Sequence, residues 1–275
     1  MSSEVSGENQ MKQLWADGGA ALGLWLSSNN AAGAEILADA GYDYINVDMQ
    51  HGLIDYNDAV TLLQALTGSA STLTCRVPWN EPGIIGKVLD AGVQGVIIPM
   101  VNTVEQAVAA TRSCRYAPAG SRSFGPIRAA RALGPDYYAA ANQQVACIPM
   151  IETAEALENL DAILDVDGVD AVYVGPADLS ISLGLPPGPD NADTAFQDAL
   201  TTIVAACTAR GIPAGIHADA TWAPVRLEQG FRMVTVISDM LSVVEGATSA
   251  LERVNAAAAA SAGAASVEDD SGSLY

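Results

Sequence analysis

The sequence is short of positive charge. Only 12 of its 275 residues are lysine or arginine, against 32 aspartates and glutamates, which gives a formal net charge of −20. A surface of this sign repels nucleic acid and anionic membranes, so we expect neither as a partner. The two lysines are Lys12, near the N-terminus, and Lys87, inside a predicted helix. A Schiff-base mechanism needs a lysine in the pocket, and neither position lies at a predicted strand end.

Cysteines and long apolar runs are also scarce. The four cysteines fit neither a zinc pattern nor a disulfide framework, which predicts buried free thiols and a reducing, cytoplasmic location. They are Cys75, Cys114, Cys147 and Cys207. No apolar run reaches the length of a membrane span, and the polar start of the chain lacks a signal-peptide pattern. No GxGxxG motif follows the first predicted strand, which argues against a dinucleotide site.

Eight short apolar segments alternate with helical patterns along the chain. The predicted strands are Ala21–Leu26, Tyr44–Asp48, Thr72–Val77, Gly95–Pro99, Val145–Ile151, Val169–Val174, Pro213–His217 and Met233–Ile237. A strand–helix repeat of roughly 25–30 residues with branched, apolar strands predicts a (β/α)8 TIM barrel. A doubly wound open sheet is the alternative.

The same patterns divide the chain into three parts. We expect residues 1–12 to be a flexible tail, residues 13–254 a single barrel domain, and residues 255–275 a disordered tail rich in Ala, Ser and Asp. The last long helix is predicted over Met240–Val254. A long excursion over residues 115–142, with one short helix near its end, interrupts the repeat, and a loop of this length is usually functional.

Two acids follow neighbouring predicted strands. Glu152 comes directly after the fifth strand, and Asp178 follows the sixth in the segment Gly-Pro-Ala-Asp. Because parallel strands end at the same edge, both carboxylates should reach one rim, where they are competent to hold a hard divalent cation. Each acid taken alone also suits the N-cap of a helix.

Three more polar side chains reach the same rim. His51 is a candidate for proton transfer because histidine is the usual acid and base at neutral pH, and Asp48 is placed to orient its ring. Arg76 lies on an apolar strand, where burial of its charge requires a carboxylate partner from the substrate or the protein. The alternatives are a structural histidine and a structural ion pair.

The remaining rim residues form the walls of the predicted pocket. Trp25 either shapes the pocket or packs in the core, and His217 is expected only to line the rim. The turn Gly175-Pro176 leads into a short helix, and the backbone N–H groups of Ala177 and Asp178 are available to bind a carboxylate there.

A set of motifs, in chain order, resembles the 4-hydroxy-2-oxoheptanedioate aldolase family. The motifs are Asp-Met-Gln-His-Gly from Asp48, Arg-Val-Pro-Trp-Asn from Arg76, Val-Ile-Ile-Pro-Met-Val from Val96, Tyr-Ala-Pro-Ala-Gly-Ser-Arg from Tyr116, Ile-Glu-Thr from Ile151 and Gly-Pro-Ala-Asp-Leu-Ser from Gly175. The family consists of metal-dependent (class II) pyruvate aldolases, and the similarity spans about residues 21–251. One departure is Gln50, where many members have glutamate.

The resemblance implies a role for each site residue. Glu152 and Asp178 would ligate Mg²⁺, Mn²⁺ or Co²⁺, and His51 paired with Asp48 would act as acid and base. Arg76 would stabilise the enolate of pyruvate. Gly175, Pro176, Ala177 and Asp178 would hold the substrate carboxylate, while Trp25 and Arg122 would contact the substrate. The family also implies a homo-hexamer, a trimer of dimers that exchange their C-terminal helices.

The sequence therefore predicts a lyase that cleaves 4-hydroxy-2-oxo acids reversibly to pyruvate and an aldehyde through a metal-stabilised enolate. Oxaloacetate decarboxylation in the same site is the nearest alternative. A non-catalytic barrel that binds a 2-oxo acid is an alternative of another class, and a CoA-ester lyase would need a basic CoA site that this acidic chain does not show.

Overall fold

A computed structural model describes residues 8–269 of the chain. Contacts divide it into two units, residues 1–238 and residues 239–275. The parts of the predicted tails at residues 1–7 and 270–275 lie outside the described residues.

Eight parallel strands form the sheet of the first unit. They are β1 (Ala21–Leu26), β2 (Tyr44–Asp48), β3 (Thr72–Arg76), β4 (Gly95–Ile98), β5 (Ala146–Pro149), β6 (Val172–Val174), β7 (Ala214–Ile216) and β8 (Met233–Ser238). Their order is β5-β4-β3-β2-β1-β8-β7-β6. The two outer strands meet at a single parallel bridge between Met150 and Tyr173, so the barrel is nearly closed. The predicted (β/α)8 barrel is confirmed, and the open sheet is not found.

Twelve helices of the described chain belong to this unit. They are α1 (Gln10–Ala16), α2 (Ala31–Leu37), α3 (Tyr56–Ala65), α4 (Pro82–Asp90), α5 (Val104–Cys114), α6 (Ala129–Leu133), α7 (Tyr137–Gln144), α8 (Ala154–Glu158), α9 (Leu160–Leu164), α10 (Pro176–Ser182), α11 (Thr194–Arg210) and α12 (Ala223–Gln229). The excursion carries two helices, α6 and α7, where one was expected. The helix predicted after β5 is divided into α8 and α9 at Asn159, which ends one and caps the other.

Strand alternation separates two layers of the core. Side chains such as Ile45 and Val47 point outward into a large apolar cluster beneath the helices, whereas Tyr44 points into the barrel. Inside the barrel, the Tyr44 and Tyr173 hydroxyls lie 3.0 and 2.5 Å from the Thr235 hydroxyl. Gly23 makes room for this arrangement, because a Cβ there would stand 1.9 Å from the Tyr44 ring. The four cysteines are free and buried, as predicted.

The N-terminal segment differs from its prediction. Residues 9–12 are ordered rather than a tail: the Asn9 side chain caps α1, and Met11 is buried with the residues of the barrel interior. Lys12 donates to Asp170, 2.7 Å away, just before β6. Composition alone did not predict that this segment packs on the barrel, because the segment is polar on average and Met11 is its buried apolar residue.

The second unit is a single helix. Helix α13 spans Asp239–Asp269, whereas the sequence predicted a helix over Met240–Val254 followed by a disordered tail. The alanine-rich stretch after Val254 has high helix propensity, which extends the helix. Because the unit boundary follows Ser238, the single domain predicted over residues 13–254 is also too long. Exchange of this helix between subunits concerns contacts between chains and stays a prediction.

No helix between residues 8 and 269 is long and apolar enough to cross a membrane.

Burial of Met11 makes the N-terminal helix part of the barrel. We expect Met11→Ala to lower the free energy of unfolding by about 2–4 kcal/mol, since truncation leaves a cavity in the interior cluster. Gln10→Ala, on the exposed side of the same helix, is the matched control and should change it by less than about 0.5 kcal/mol. Urea unfolding measures both. Equal stabilities for the two variants would show that α1 does not support the barrel.

Candidate active site

The C-terminal ends of the strands, here called the rim, gather most of the predicted site residues. Trp25 stands near the end of β1, Asp48 ends β2 and Arg76 ends β3. Glu152 follows β5, and Asp178 lies in the first turn of α10, directly after β6. The parallel register places these chain-distant side chains at one end of the barrel.

Asp48 and Arg76 form a two-pronged ion pair. Cα pairing of these two residues ends the β2–β3 ladder. The Nε and Nη2 atoms of Arg76 donate to the two oxygens of Asp48 at 2.9 and 2.7 Å. Burial alone would raise the pKa of Asp48, but the hydrogen bonds and charge of Arg76 outweigh it and hold that pKa below its usual value. Asp48 is therefore a fixed anion whose function is to hold the guanidinium.

The predicted pairing of Asp48 with the His51 ring is not found. The Asp48 oxygen that bonds Arg76 Nε also accepts the backbone N–H groups of Gln50 and His51, at 3.0 and 3.3 Å. The His51 side chain is exposed on the loop after β2. A loop that turns back onto its own carboxylate directs the backbone, rather than the imidazole, at Asp48.

Trp25 packs beside this ion pair. It is 2% exposed, and its ring lies 5.0 Å from the Arg76 guanidinium carbon. The ring also stacks on Tyr173, at a centroid distance of 5.6 Å, and meets the edge of His217 at 5.0 Å. Trp25 thus helps to hold the Arg76 guanidinium in place by a cation–π contact.

Glu152 is a buried carboxylate with only one oxygen bonded. Its Oε1 accepts the Met100 N–H at 2.8 Å, while its Oε2 has no hydrogen-bond partner among the described residues. Burial raises the pKa of Glu152 to about 7, and the negative charge of Asp178 adds to this rise. The Met100 N–H and the Arg76 charge act against it. A buried oxygen of this kind is costly unless a ligand satisfies it.

Met100 is a functional position that sequence analysis missed. Its backbone has φ 55°, in the left-handed region that a methionine rarely adopts. The strained turn after β4 directs the Met100 N–H at Glu152. The only sequence signal was its place directly after an apolar strand and a proline.

The unpaired oxygen of Glu152 lies against Gly175, and the space left by the missing side chain is here called the Gly175 cradle. A Cβ on Gly175 would lie 2.5 Å from Glu152 Oε2 and 3.1 Å from the Met150 methyl group. Asp178, three residues further on, is partly exposed at the start of α10. These features suit a divalent cation: one buried carboxylate oxygen has no partner, the cradle beside it is open, and a second carboxylate follows. Such a cation keeps its other coordination positions for water and substrate. Among the described residues no group of three or more His, Cys, Asp or Glu side chains is placed to hold a metal ion.

The start of α10 adds hydrogen-bond donors. Pro176, at the first helical position, has no N–H, and no side chain caps the helix. The N–H groups of Ala177 and Asp178 lie in the first turn, where the helix itself supplies no acceptor. The predicted carboxylate-binding residues therefore follow Gly175, which lies against Glu152.

Arg122 does not lie with these residues. Its Nη2 donates to Asp90 at 2.8 Å and its Nη1 to the Tyr137 hydroxyl at 2.9 Å. Asp90 ends α4, the helix that returns from the rim to the start of β4, so this ion pair lies at the opposite end of the barrel. Within one chain Arg122 holds the excursion against the barrel, and its contact with substrate stays a prediction.

Both lysines are engaged away from the rim. Lys12 bonds Asp170, and the Lys87 amine lies 4.7 Å from the centroid of the Tyr56 ring. The positive charge near the acid pair comes from Arg76.

Several known proteins that are similar in sequence to this chain are named as aldolases. Residues 21–245 match the model of the HpcH/HpaI aldolase/citrate lyase family. Over 233 residues the chain is 38% identical to the hydroxypyruvate/pyruvate aldolase of Rhizorhabdus wittichii, and the alignment covers 84% of this chain and 93% of that protein. The chain is 37% identical over 254 residues to the 4-hydroxy-2-oxo-heptane-1,7-dioate aldolase of Salmonella dublin, with 90% of this chain and 95% of that protein covered. A solved HpcH/HpaI family protein from Burkholderia cenocepacia superposes with a TM-score of 0.84 at 34% identity, over 90% of this chain and 99% of that one.

The barrel, its rim and these relatives define an enzyme of the carbon–carbon lyase class. The chain belongs to the HpcH/HpaI aldolase/citrate lyase family. The resemblance drawn from the six motifs is confirmed.

The raised pKa of Glu152 makes the metal-free protein sensitive to pH. Its folded-state pKa of about 7 exceeds the value of about 4.3 expected in the unfolded chain. Between these values the unfolded chain has released a proton that the folded protein keeps, so stability falls as pH rises and levels off above about 7. We expect wild type to lose about 2–3 kcal/mol relative to Glu152→Gln between pH 5 and pH 8.

Urea unfolding in EDTA at several pH values measures this difference. Comparing the two proteins cancels every other titrating group, including His217. Parallel stability curves would show that Glu152 ionises normally in the folded protein.

Proposed function

We propose that this protein is a divalent-metal-dependent aldolase that cleaves 4-hydroxy-2-oxo acids to pyruvate and an aldehyde, and joins them in reverse. The observation that supports this most is the unpartnered Oε2 of Glu152, buried beside the Gly175 cradle and Asp178. The two relatives named as aldolases catalyse the same class of reaction, which supports the proposal.

Glu152 and Asp178 would hold the cation, for which Mg²⁺, Mn²⁺ and Co²⁺ are the candidates. When bound, the ion supplies a Lewis acid for the keto oxygen of the substrate. Loading the site requires Glu152 to lose its proton, because only the carboxylate is a ligand.

Arg76 faces the oxygen on which negative charge develops. Asp48 binds the guanidinium through Nε and Nη2, so Nη1 takes no part in that ion pair. A donor fixed before the reaction stabilises an enolate oxygen without reorganising. Asp48 and Trp25 thus act by positioning Arg76.

The substrate carboxylate is assigned to the start of α10. The N–H groups of Ala177 and Asp178 lie in its first turn, and the positive end of the helix dipole favours an anion there. Gly175 and Pro176 supply the turn that places these donors next to Glu152.

His51 is the candidate for proton transfer. In the cleavage direction a base removes the proton of the C4 hydroxyl, the C3–C4 bond breaks and the aldehyde leaves. The electron pair of that bond forms the pyruvate enolate, which then takes a proton on carbon 3. His51 lies on the rim loop with its ring exposed, so it is open to substrate and solvent.

Exchange of the pyruvate methyl protons in D₂O, followed by NMR, tests the enolate half of this mechanism without knowledge of the aldehyde. Exchange should stop in EDTA and return with Mg²⁺, Mn²⁺ or Co²⁺. Asp178→Asn should lower the metal-restored rate by at least about 100-fold. Asp198→Asn, which removes an exposed carboxylate from α11, is the control and should match wild type.

Undiminished exchange in Asp178→Asn, or in EDTA, would contradict the assignment of the cation site. Release of pyruvate from oxaloacetate much faster than from any aldol would favour decarboxylation as the main activity.

Loss of the Arg76 donor should affect chemistry more than folding. We expect Arg76→Ala to reduce the exchange rate by about 10²–10³-fold, the usual cost of one oxyanion donor. Arg112→Ala, at an exposed position on α5, is the control. Thermal unfolding shows whether each variant is folded, and a folded Arg76→Ala protein with the wild-type rate would remove Arg76 from the mechanism.

A further inference from the structure

Two adjacent hydrogen bonds join the turn after β4 to the segment after β5. The Met100 N–H donates to Glu152 Oε1 at 2.8 Å, and the hydroxyl of the next residue, Thr153, donates to the side-chain oxygen of Asn102 at 2.6 Å. The first bond belongs to the proposed cation site. The second bond involves neither a candidate ligand nor a residue of the proposed mechanism, so its role is open.

Asn102 is also bonded through its backbone. Its N–H donates to the side-chain oxygen of Gln106 at 2.6 Å, and its carbonyl oxygen accepts from the side chain of Asn159 at 2.9 Å. Gln106 lies in α5, and Asn159 stands at the break between α8 and α9. Asn102 therefore connects the helix that follows β4 to the helices that follow β5.

The Thr153 hydroxyl has both of its hydrogen-bonding capacities in use. Thr153 is the N-cap of α8, and its Oγ1 accepts the Ala156 N–H at 3.0 Å while it donates to Asn102. A hydroxyl that donates and accepts at the same time is fixed in orientation. Because Thr153 adjoins Glu152, this pair of bonds also fixes the backbone from which the Glu152 side chain extends.

The turn at Met100 needs support of this kind. Its φ of 55° is a strained conformation for methionine, and such a conformation persists only where the surrounding contacts hold it. Asn102 lies two residues further along the same turn. Its three hydrogen bonds hold the strained backbone where Met100 can donate to Glu152 Oε1. With Oε1 engaged, Oε2 is the oxygen that remains for a cation.

We propose that Asn102 is a positioning residue of the cation site: through Thr153 it holds Glu152 against the Met100 N–H and thereby sets the affinity of the site for a divalent ion. This inference rests on the proposed function. Asn102 itself contacts neither the ion nor the substrate, because its side-chain oxygen is taken by the Thr153 hydroxyl. Loss of a residue that supports a metal ligand typically weakens metal binding by about 10–100-fold.

The test measures the binding of Mn²⁺, because electron paramagnetic resonance counts the free ion without any turnover. Asn102→Ala removes the acceptor and leaves the bond between Thr153 and Ala156 in place. Thr153→Val removes the hydroxyl at nearly constant shape, whereas Thr153→Ser keeps it. Asn142→Ala is the matched control, since it removes a side chain that forms two hydrogen bonds with Tyr116 in the excursion.

We expect Asn102→Ala to raise the Mn²⁺ dissociation constant about tenfold, and Thr153→Val to raise it by at least as much. Because both substitutions remove the same bond, the double variant should bind no more weakly than Thr153→Val alone. Thr153→Ser should bind Mn²⁺ like wild type. Asn142→Ala should lower the melting temperature and leave the dissociation constant unchanged.

Wild-type affinity in a folded Asn102→Ala protein, with folding checked by thermal unfolding, would overturn the inference. Effects of the two single variants that multiply in the double variant would also overturn it, since the two residues would then act independently. Should Asn102→Ala not fold, the comparison of Thr153→Val with Thr153→Ser decides the question, and equal affinities would count against the proposal. A similar loss of affinity in Asn142→Ala would make general instability the cause.

Failure of the proposed function gives a different result. Absence of Mn²⁺ binding by wild type would overturn both the function and the role of Asn102. Mn²⁺ binding by wild type without exchange of the pyruvate protons would contradict the aldolase alone. If wild type binds Mn²⁺ and exchanges these protons while the Asn102 and Thr153 variants bind equally well, the assignment of Asn102 alone is wrong.

Discussion

The bidentate pair between Arg76 and Asp48 is the interaction on which the rim depends. It follows from the register of two neighbouring parallel strands, which sets the two residues side by side at the ends of β2 and β3. The pair keeps Asp48 ionised and holds the guanidinium against Trp25. Arg76 in turn is the positive charge that lowers the pKa of His217 and moderates the rise at Glu152. In a chain with a net charge of −20, this partly buried arginine is the positive charge that acts on Glu152.

The two acids of the proposed cation site have unlike environments. Glu152 is 1% exposed and bonded through one oxygen to a strained turn, whereas Asp178 stands partly exposed at the start of a short helix. Burial makes Glu152 the group that keeps a proton when no cation is present. The site is thus neutralised in part by that proton, which a cation must displace.

Much of the fold followed from the sequence because buried parallel strands leave a strong local signal. The strands β1 and β2 have the predicted bounds, and the others differ by a few residues at their ends. The acid pair and Arg76 were found because parallel topology alone brings strand ends together. Residue spacing does not determine the direction of a side chain. It placed His51 three residues from Asp48 but could not show that the loop directs its backbone, rather than the imidazole, at the carboxylate.

Other features depended on contacts that no local pattern encodes. Burial of Met11 in the barrel interior is a tertiary contact of an otherwise polar segment. The Arg122–Asp90 pair joins the excursion to the end of a helix 32 residues earlier, so its distance from the rim could not be inferred from a motif. The unusual backbone at Met100 follows from its bond to Glu152, which lies 52 residues later.

The opening between β5 and β6 has a mechanical consequence for the acid pair. The seven other pairs of neighbouring strands in the barrel are joined by ladders, but here a single bridge connects the strands that precede Glu152 and Asp178. A ladder transmits a displacement from strand to strand, and one bridge transmits little of it. The two carboxylates are therefore held by separate parts of the barrel wall rather than by one ladder. In the proposed cation site, such a spacing would adjust to divalent ions of different radius without a change in the paired strands.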